Sequence, residues 1–355
     1  MPIALAEPVA HSIHDPLKLM TPSIPTSYRW PHRLALLSAV AVFPLIWVGG
    51  LVTTYDAGMA VPDWPTTFGY NMFAYPLASW LGNWDVFIEH GHRLLGSLAG
   101  LLMIALVVTT YAIRAPQWVK FFAWALLALV ILQGVLGGAR VLLDERTVAL
   151  LHGCTGPVFF VSLVAFAVVT SPRFEAPPKE SETDSRYASR LALACWGFVA
   201  VCYLQLVLGA VVRHVPVTSS ASFFRAVLLL HLVMAGVLLA QAFLLDYQIL
   251  FRQKGIVSRW VGGILLGLIV IQVGLGLLTY VVKYSFPEFM SSYQFAAGHV
   301  NYEKSALQAL SATAHMANGS LILATAVTLS LQASRQWRPV VALAVAPMLL
   351  VRPTT

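Results

Sequence analysis

The sequence predicts an all-α integral membrane protein whose eight transmembrane helices form two pseudosymmetric four-helix bundles. Three observations lead there. Of the 355 residues, 58% are hydrophobic and only 10% are charged, with a mean hydropathy of +0.76; soluble domains carry roughly 25% charged residues. Several apolar runs exceed the roughly 20 residues that cross a bilayer, where a span must satisfy its own backbone as a helix or in a closed barrel. One charged, proline-containing stretch, RFEAPPKESETDSRYASR (173–190), divides the apolar runs four and four.

The elements follow in chain order. Residues 1–33 hold Pro, Ser and His with few arginines, so they read as a cytosolic tail rather than a targeting peptide. Spans are expected at 34–54, 92–113, 118–138, 148–170, 188–213, 224–250, 260–282 and 306–332. The domains are then an N-terminal half (34–172), the linker (173–190), a C-terminal half (191–332) and a C-terminal tail (333–355) whose apolar run 340–351 is short and contains Pro347. Long loops fall at 55–91 and 283–305. With the N-terminus inside, fifteen of the 22 Lys and Arg lie on the inner side. This predicts a cytoplasmic N-terminus and C-terminus. The net charge of +7 is therefore a topology signal, and no nucleic-acid partner is expected. Cys154, Cys195 and Cys202 fall inside spans without a CxxC pattern, which excludes covalent c-type haem attachment.

A hairpin repeats through these spans. The odd spans end WVGGLVTT (47–54), QGVLGGAR (133–140), QLVLGAVVR (205–213) and QVGLGLLT (272–279), each with small residues that permit close helix approach. The even spans each place one histidine near their outer end: His92, His152, His231 and His315. A lone intramembrane histidine is usually a satisfied polar group, but four at one depth in four repeats point to ligands. Zinc and copper sites want three or four ligands converging on a point. Haem takes one ligand on each face, so His92 with His152 would flank one haem, and His231 with His315 another. Arg93, Arg140, Arg213 and Arg225 share the outer level and suit anionic propionates, or else anchor the interface. His11, His14, His32, His214 and His299 lie in the tail or near loops. His90 faces away from His92 and has no assigned role. Glu89, three residues before His92, shares its helix face.

Taken together, E-x-x-H-R at 89–93, GGLVTT at 49–54, AGMAVPDWPTTFG at 57–69, the repeated hairpins and the four histidines resemble the haem A synthase family, Cox15/CtaA. The resemblance covers all eight spans. It implies an oxidoreductase that takes a methyl group of haem O to a formyl group by successive hydroxylations, in haem biosynthesis and cytochrome oxidase assembly. It implies haem b as cofactor in the C-terminal half at His231 and His315, substrate haem O in the N-terminal half at His92 and His152, and Glu89 as the catalytic residue. Asp63 and Trp64 would cap the substrate pocket. The implied setting is a bacterial cytoplasmic (inner) membrane, with lipid, a haem O synthase and an electron carrier as partners; a homo-oligomer stays open. Two departures stand out: Val61 and Thr67 occupy positions where many members carry cysteines, and Thr53 replaces an arginine after the first glycine pair. The rival readings are a di-haem b subunit that oxidises quinol and, more remotely, a transporter built on internal repeats.

Overall fold

The computed structural model describes residues 28–175, 185–216, 218–252 and 259–335. Eight long apolar helices span it: α1 (Arg29–Thr54), α2 (Trp84–Ala112), α3 (Gln117–Leu143), α4 (Arg146–Val169), α5 (Ser185–Arg213), α6 (Ala221–Tyr247), α7 (Arg259–Tyr284) and α8 (Ala306–Arg335). Among the described residues the only extended pairing is an isolated bridge between Thr67 and Tyr70. The outer surface carries large apolar side chains such as Leu101, Phe121, Leu193 and Trp260. In water that surface would be an aggregation liability; in lipid it is the matching face. The far tails, the centre of the linker (176–184) and the apolar run 340–351 lie outside the described residues.

Helix ends depart from the hydropathy reading in an instructive way. α2 starts at Trp84, eight residues before the expected 92, because Asn83 caps it: its side-chain oxygen accepts from Asp85 N (2.9 Å) and Val86 N (3.3 Å), and Asp85 favours the positive end of the helix. Glu89 and His90 therefore sit inside a helix, not at its mouth. α1 starts at Arg29, so His32 is helical and its Nδ1 lies 2.8 Å from Ala167 O. α3 closes on Asp144 in the left-handed region (φ 47°), which turns the chain directly into α4.

Each helix of the first four packs on two others, in the ring α1–α2–α3–α4, and α5–α6–α7–α8 close a second ring. The rings meet where α8 packs on α1 and α4, and where α4 touches α5. α8 can occupy this centre because more than half of its buried residues are small, among them Ala309, Ser311, Thr313, Ala317, Ser320, Ala324, Ala326 and Ser330. In lipid, helices associate through close van der Waals contact rather than the hydrophobic effect, so small residues mark the seam. Gly50 of α1 is the tightest point: a methyl group there would lie 2.7 Å from Thr313 Cγ2 and 2.9 Å from Met316 Cε. Gly50→Val should force the rings apart and destabilise the fold by about 1–3 kcal/mol. A lowered thermal midpoint in detergent checks this, and an unchanged one refutes the seam.

Candidate functional site: two facing histidine pairs

The hairpin repeat becomes a repeated contact. In every hairpin the even-helix histidine lays its Cε1 edge on a glycine of the preceding odd helix. A methyl group on Gly49 would lie 2.9 Å from His92 Cε1, on Gly137 3.3 Å from His152, on Gly209 3.0 Å from His231, and on Gly276 3.0 Å from His315. Carbon atoms prefer about 3.5–4.0 Å, so any side chain at these positions would displace the ring. Four residues before each glycine stand Leu45, Gln133, Gln205 and Gln272. Gln205 Nε2 donates to His231 O (2.9 Å) and Gln272 Nε2 to His315 O (3.0 Å), while Gln133 Nε2 donates to Thr155 Oγ1.

The rings then face one another across each four-helix ring. His92 and His152 stand with centroids 6.3 Å apart and planes at 84°; His231 and His315 stand 6.3 Å apart at 71°. All four Nδ1 atoms are buried without a hydrogen-bond partner. Two metal–nitrogen bonds of about 2 Å, plus the half-widths of two imidazoles, span about 6 Å, so each gap matches one metal atom between two rings. Among the described residues no three His, Cys, Asp or Glu converge as a metal cluster, so each pair offers two imidazoles and no third protein ligand.

Residues 32–288 match the model of COX15-CtaA, described as cytochrome oxidase assembly protein. The chain belongs to that family. Relatives named haem A synthase include one from an Exiguobacterium species, 27% identical over 266 residues (69% of this chain, 82% of the relative). Others come from Symbiobacterium thermophilum, 32% identical over 186 residues (50% and 56%), and Bacillus licheniformis, 29% over 187 residues (51% and 58%). The chain thus spans little more than half the length of these last two. The family match ends before α8, so His315 stands on the repeated geometry.

Beside His92, the family's E-x-x-H-R segment is locked to the outer loop. Glu89 is buried; its Oε2 accepts from Val61 N (2.8 Å) and its Oε1 from Arg93 Nη2 (2.9 Å). Arg93 Nη2 also donates to Val61 O (2.8 Å), and Nη1 to Asp63 O (2.7 Å) and Thr66 O (3.0 Å). The loop is itself wound around Asp63, whose carboxylate accepts from Phe68 N (2.7 Å), Gly69 N (2.8 Å) and the Thr66 hydroxyl. Burial raises this carboxyl, but those three hydrogen bonds outweigh it and hold Asp63 below its ordinary value. They also offset the left-handed φ of Phe68 (50°). Trp64 lies on Gly138, the neighbour of His152's glycine.

The other expected arginines diverge. Arg140 Nη2 donates to Gly58 O (2.7 Å) in the same loop. Arg213 crosses the seam, with Nη2 donating to Gly50 O (2.7 Å) and Thr54 Oγ1 (2.6 Å) of α1 and Nη1 3.6 Å from Met316 Sδ. Among the described residues neither meets a carboxylate at ion-pair distance. Arg225 is exposed on the second turn of α6 and shares only the level. His214, just past α5, is driven to about 4 by burial and then by Arg213, Arg140, Arg146 and Lys283, so it is uncharged at neutral pH. Sequence reasoning found the glycines at the odd-span ends but gave them to helix approach rather than to seats for the histidines, and it left His90 without a role. That ring is 2% exposed, packed at 5.2 Å from Tyr75 and 5.3 Å from Trp80, with Nδ1 3.1 Å from Thr67 Oγ1. It ties down the loop at one of the two positions where a cysteine was expected.

Thr67→Val should therefore orphan a buried imidazole and destabilise the loop by about 1–3 kcal/mol, read as faster proteolysis within 57–69. Asp63→Asn should speed amide exchange at Phe68 and Gly69 at neutral pH. Because the folded carboxyl lies below its unfolded value, its contribution is full above about pH 3.9 and is lost as pH falls through the lower folded value. The unmutated loop should thus loosen only in that acid window.

Proposed function

We propose that this chain is a haem A synthase that holds substrate haem O between His92 and His152 and haem b between His231 and His315. The observation that carries the reading is the pair of 6.3 Å imidazole gaps with Glu89 one turn from His92. The family and the relatives named haem A synthase support the activity. The assignment of one haem to each half, 34–172 and 191–332, rests on the two rings of helices. The assignment of Arg140 and Arg213 to propionates rests on their buried, carboxylate-free guanidinium groups. The chain spans the membrane many times; the N-in, C-in orientation in a bacterial inner membrane rests on the distribution of Lys and Arg.

Haem b, when bound, supplies a one-electron carrier beside the oxidation site. The chain's own residues do the rest. His92 and His152 fix the substrate ring between α2 and α4, with Gly49 and Gly137 allowing the imidazoles to sit back far enough to admit it. Glu89 keeps lone pairs beyond the two used by Val61 and Arg93, so it can accept a proton from the substrate methyl or stabilise positive charge there. The loop with Asp63 and Trp64 covers this end of the pocket and excludes water, which strengthens Glu89's effect. Two successive hydroxylations of the methyl group, then loss of water, give the formyl product; written against water the balance is R–CH3 + H2O → R–CHO + 4 e⁻ + 4 H⁺, so an external electron acceptor must take the four electrons.

In a strain lacking its own synthase, Glu89→Gln should stop haem A formation and let haem O accumulate, with a rate loss of about 10²-fold or more. A normal haem A yield refutes the catalytic role. His231→Ala should remove the low-spin bis-imidazole absorption from purified protein; an unchanged spectrum refutes that pair. Extracted pigment separates the rival reading, since an electron-transfer subunit yields haem b alone.

A further inference from the structure

The geometry points to Arg93 as the positioning residue of Glu89, acting through the Val61 backbone rather than on a propionate. This rests on the synthase reading above and deepens it. Arg93 and Glu89 are one turn apart on α2, and their side chains are 9% and 4% exposed. Together they grip one loop residue on both sides: Val61 N donates to Glu89 Oε2 at 2.8 Å, and Val61 O accepts from Arg93 Nη2 at 2.8 Å. The remaining Nη2 bond closes the ring onto Glu89 Oε1, and Nη1 reaches two further loop carbonyls, Asp63 O and Thr66 O. Four hydrogen bonds thus fill both terminal nitrogens, which leaves only Nε for any other acceptor. Arg140 makes one such bond to protein, and so retains what Arg93 has already spent.

The consequence is directional. Glu89 is held at a fixed place one turn before His92 on α2 by a fork that is itself fixed by three loop carbonyls. The Asp63 turn aims two of those carbonyls. Loop and carboxylate therefore move as one body, and a loop displaced by an ångström carries Glu89 with it. Lysine cannot substitute, because a compact ammonium lacks the planar fork that spans a carboxylate and three carbonyls.

The test uses the full chain loaded with haem b, with Arg93→Lys and Arg93→Gln beside the unmutated protein. Three quantities are measured: haem O affinity by absorbance titration, turnover to haem A, and amide exchange at Val61. The haem b spectrum reports whether each variant is folded. The expected result is unchanged haem O affinity, turnover lower by about 10²-fold in both variants, and Val61 exchange faster by about tenfold or more. Haem O affinity falling in step with turnover while Val61 stays protected would overturn the inference and make Arg93 a propionate ligand. Full rescue by lysine would overturn it too. Glu89→Gln run in parallel separates the two levels: normal turnover there sinks the catalytic reading, while Val61 exchange in the Arg93 variants still decides what Arg93 holds.

Discussion

An imidazole edge set against a helix backbone is the contact on which the rest of this protein depends. A histidine in a bilayer needs room and a partner for its nitrogen, and a helix interface offers neither unless one residue has no side chain. Gly49, Gly137, Gly209 and Gly276 provide the room four times over. The partner is missing four times over as well: each Nδ1 is buried and unsatisfied. One buried polar group left without a hydrogen bond costs about 1–3 kcal/mol, and the proposed ligation would offset that cost in every hairpin.

The glycines come in pairs where the two rings of helices and the loop must also meet. Gly49 seats His92 while Gly50 admits Thr313 and Met316 of α8; Gly137 seats His152 while Gly138 admits Trp64 of the outer loop. One face of the helix serves the imidazole and the next serves a neighbour that closes the site. Met316 follows His315 directly, and Arg213, one turn beyond Gly209, bonds to Gly50 O. Contact thus runs from one half of the molecule to the other through α1 and α8.

The 57–69 loop is held by polar contacts at Val61 and Thr67, the two positions where the resemblance implied cysteines. Thr67 meets His90, Val61 meets Glu89, and Arg93 fastens the carbonyls between them. Both positions at which cysteine is absent are therefore anchored to α2 by hydrogen bonds, which bind without redox chemistry and release reversibly. This places the closing of the pocket and the orientation of its carboxylate on one helix turn, from Glu89 to Arg93.

Composition and charge alone determined that the chain crosses the membrane eight times, because length and apolarity decide whether a segment can leave water. Spacing alone determined the hairpin repeat, the four histidines and Glu89, because helical periodicity fixes which residues share a face. Tertiary structure decided the rest. It extended α2 back to Trp84, since a cap at Asn83 is invisible to hydropathy. It moved Arg93 from the rim to the loop, sent Arg213 across to α1 and left Arg225 exposed, because a guanidinium on a long stem goes where carbonyls converge, and only the fold makes them converge. It gave His90 a role that sequence could not, since its partners Thr67, Tyr75 and Trp80 come from a loop whose path the Asp63 turn sets.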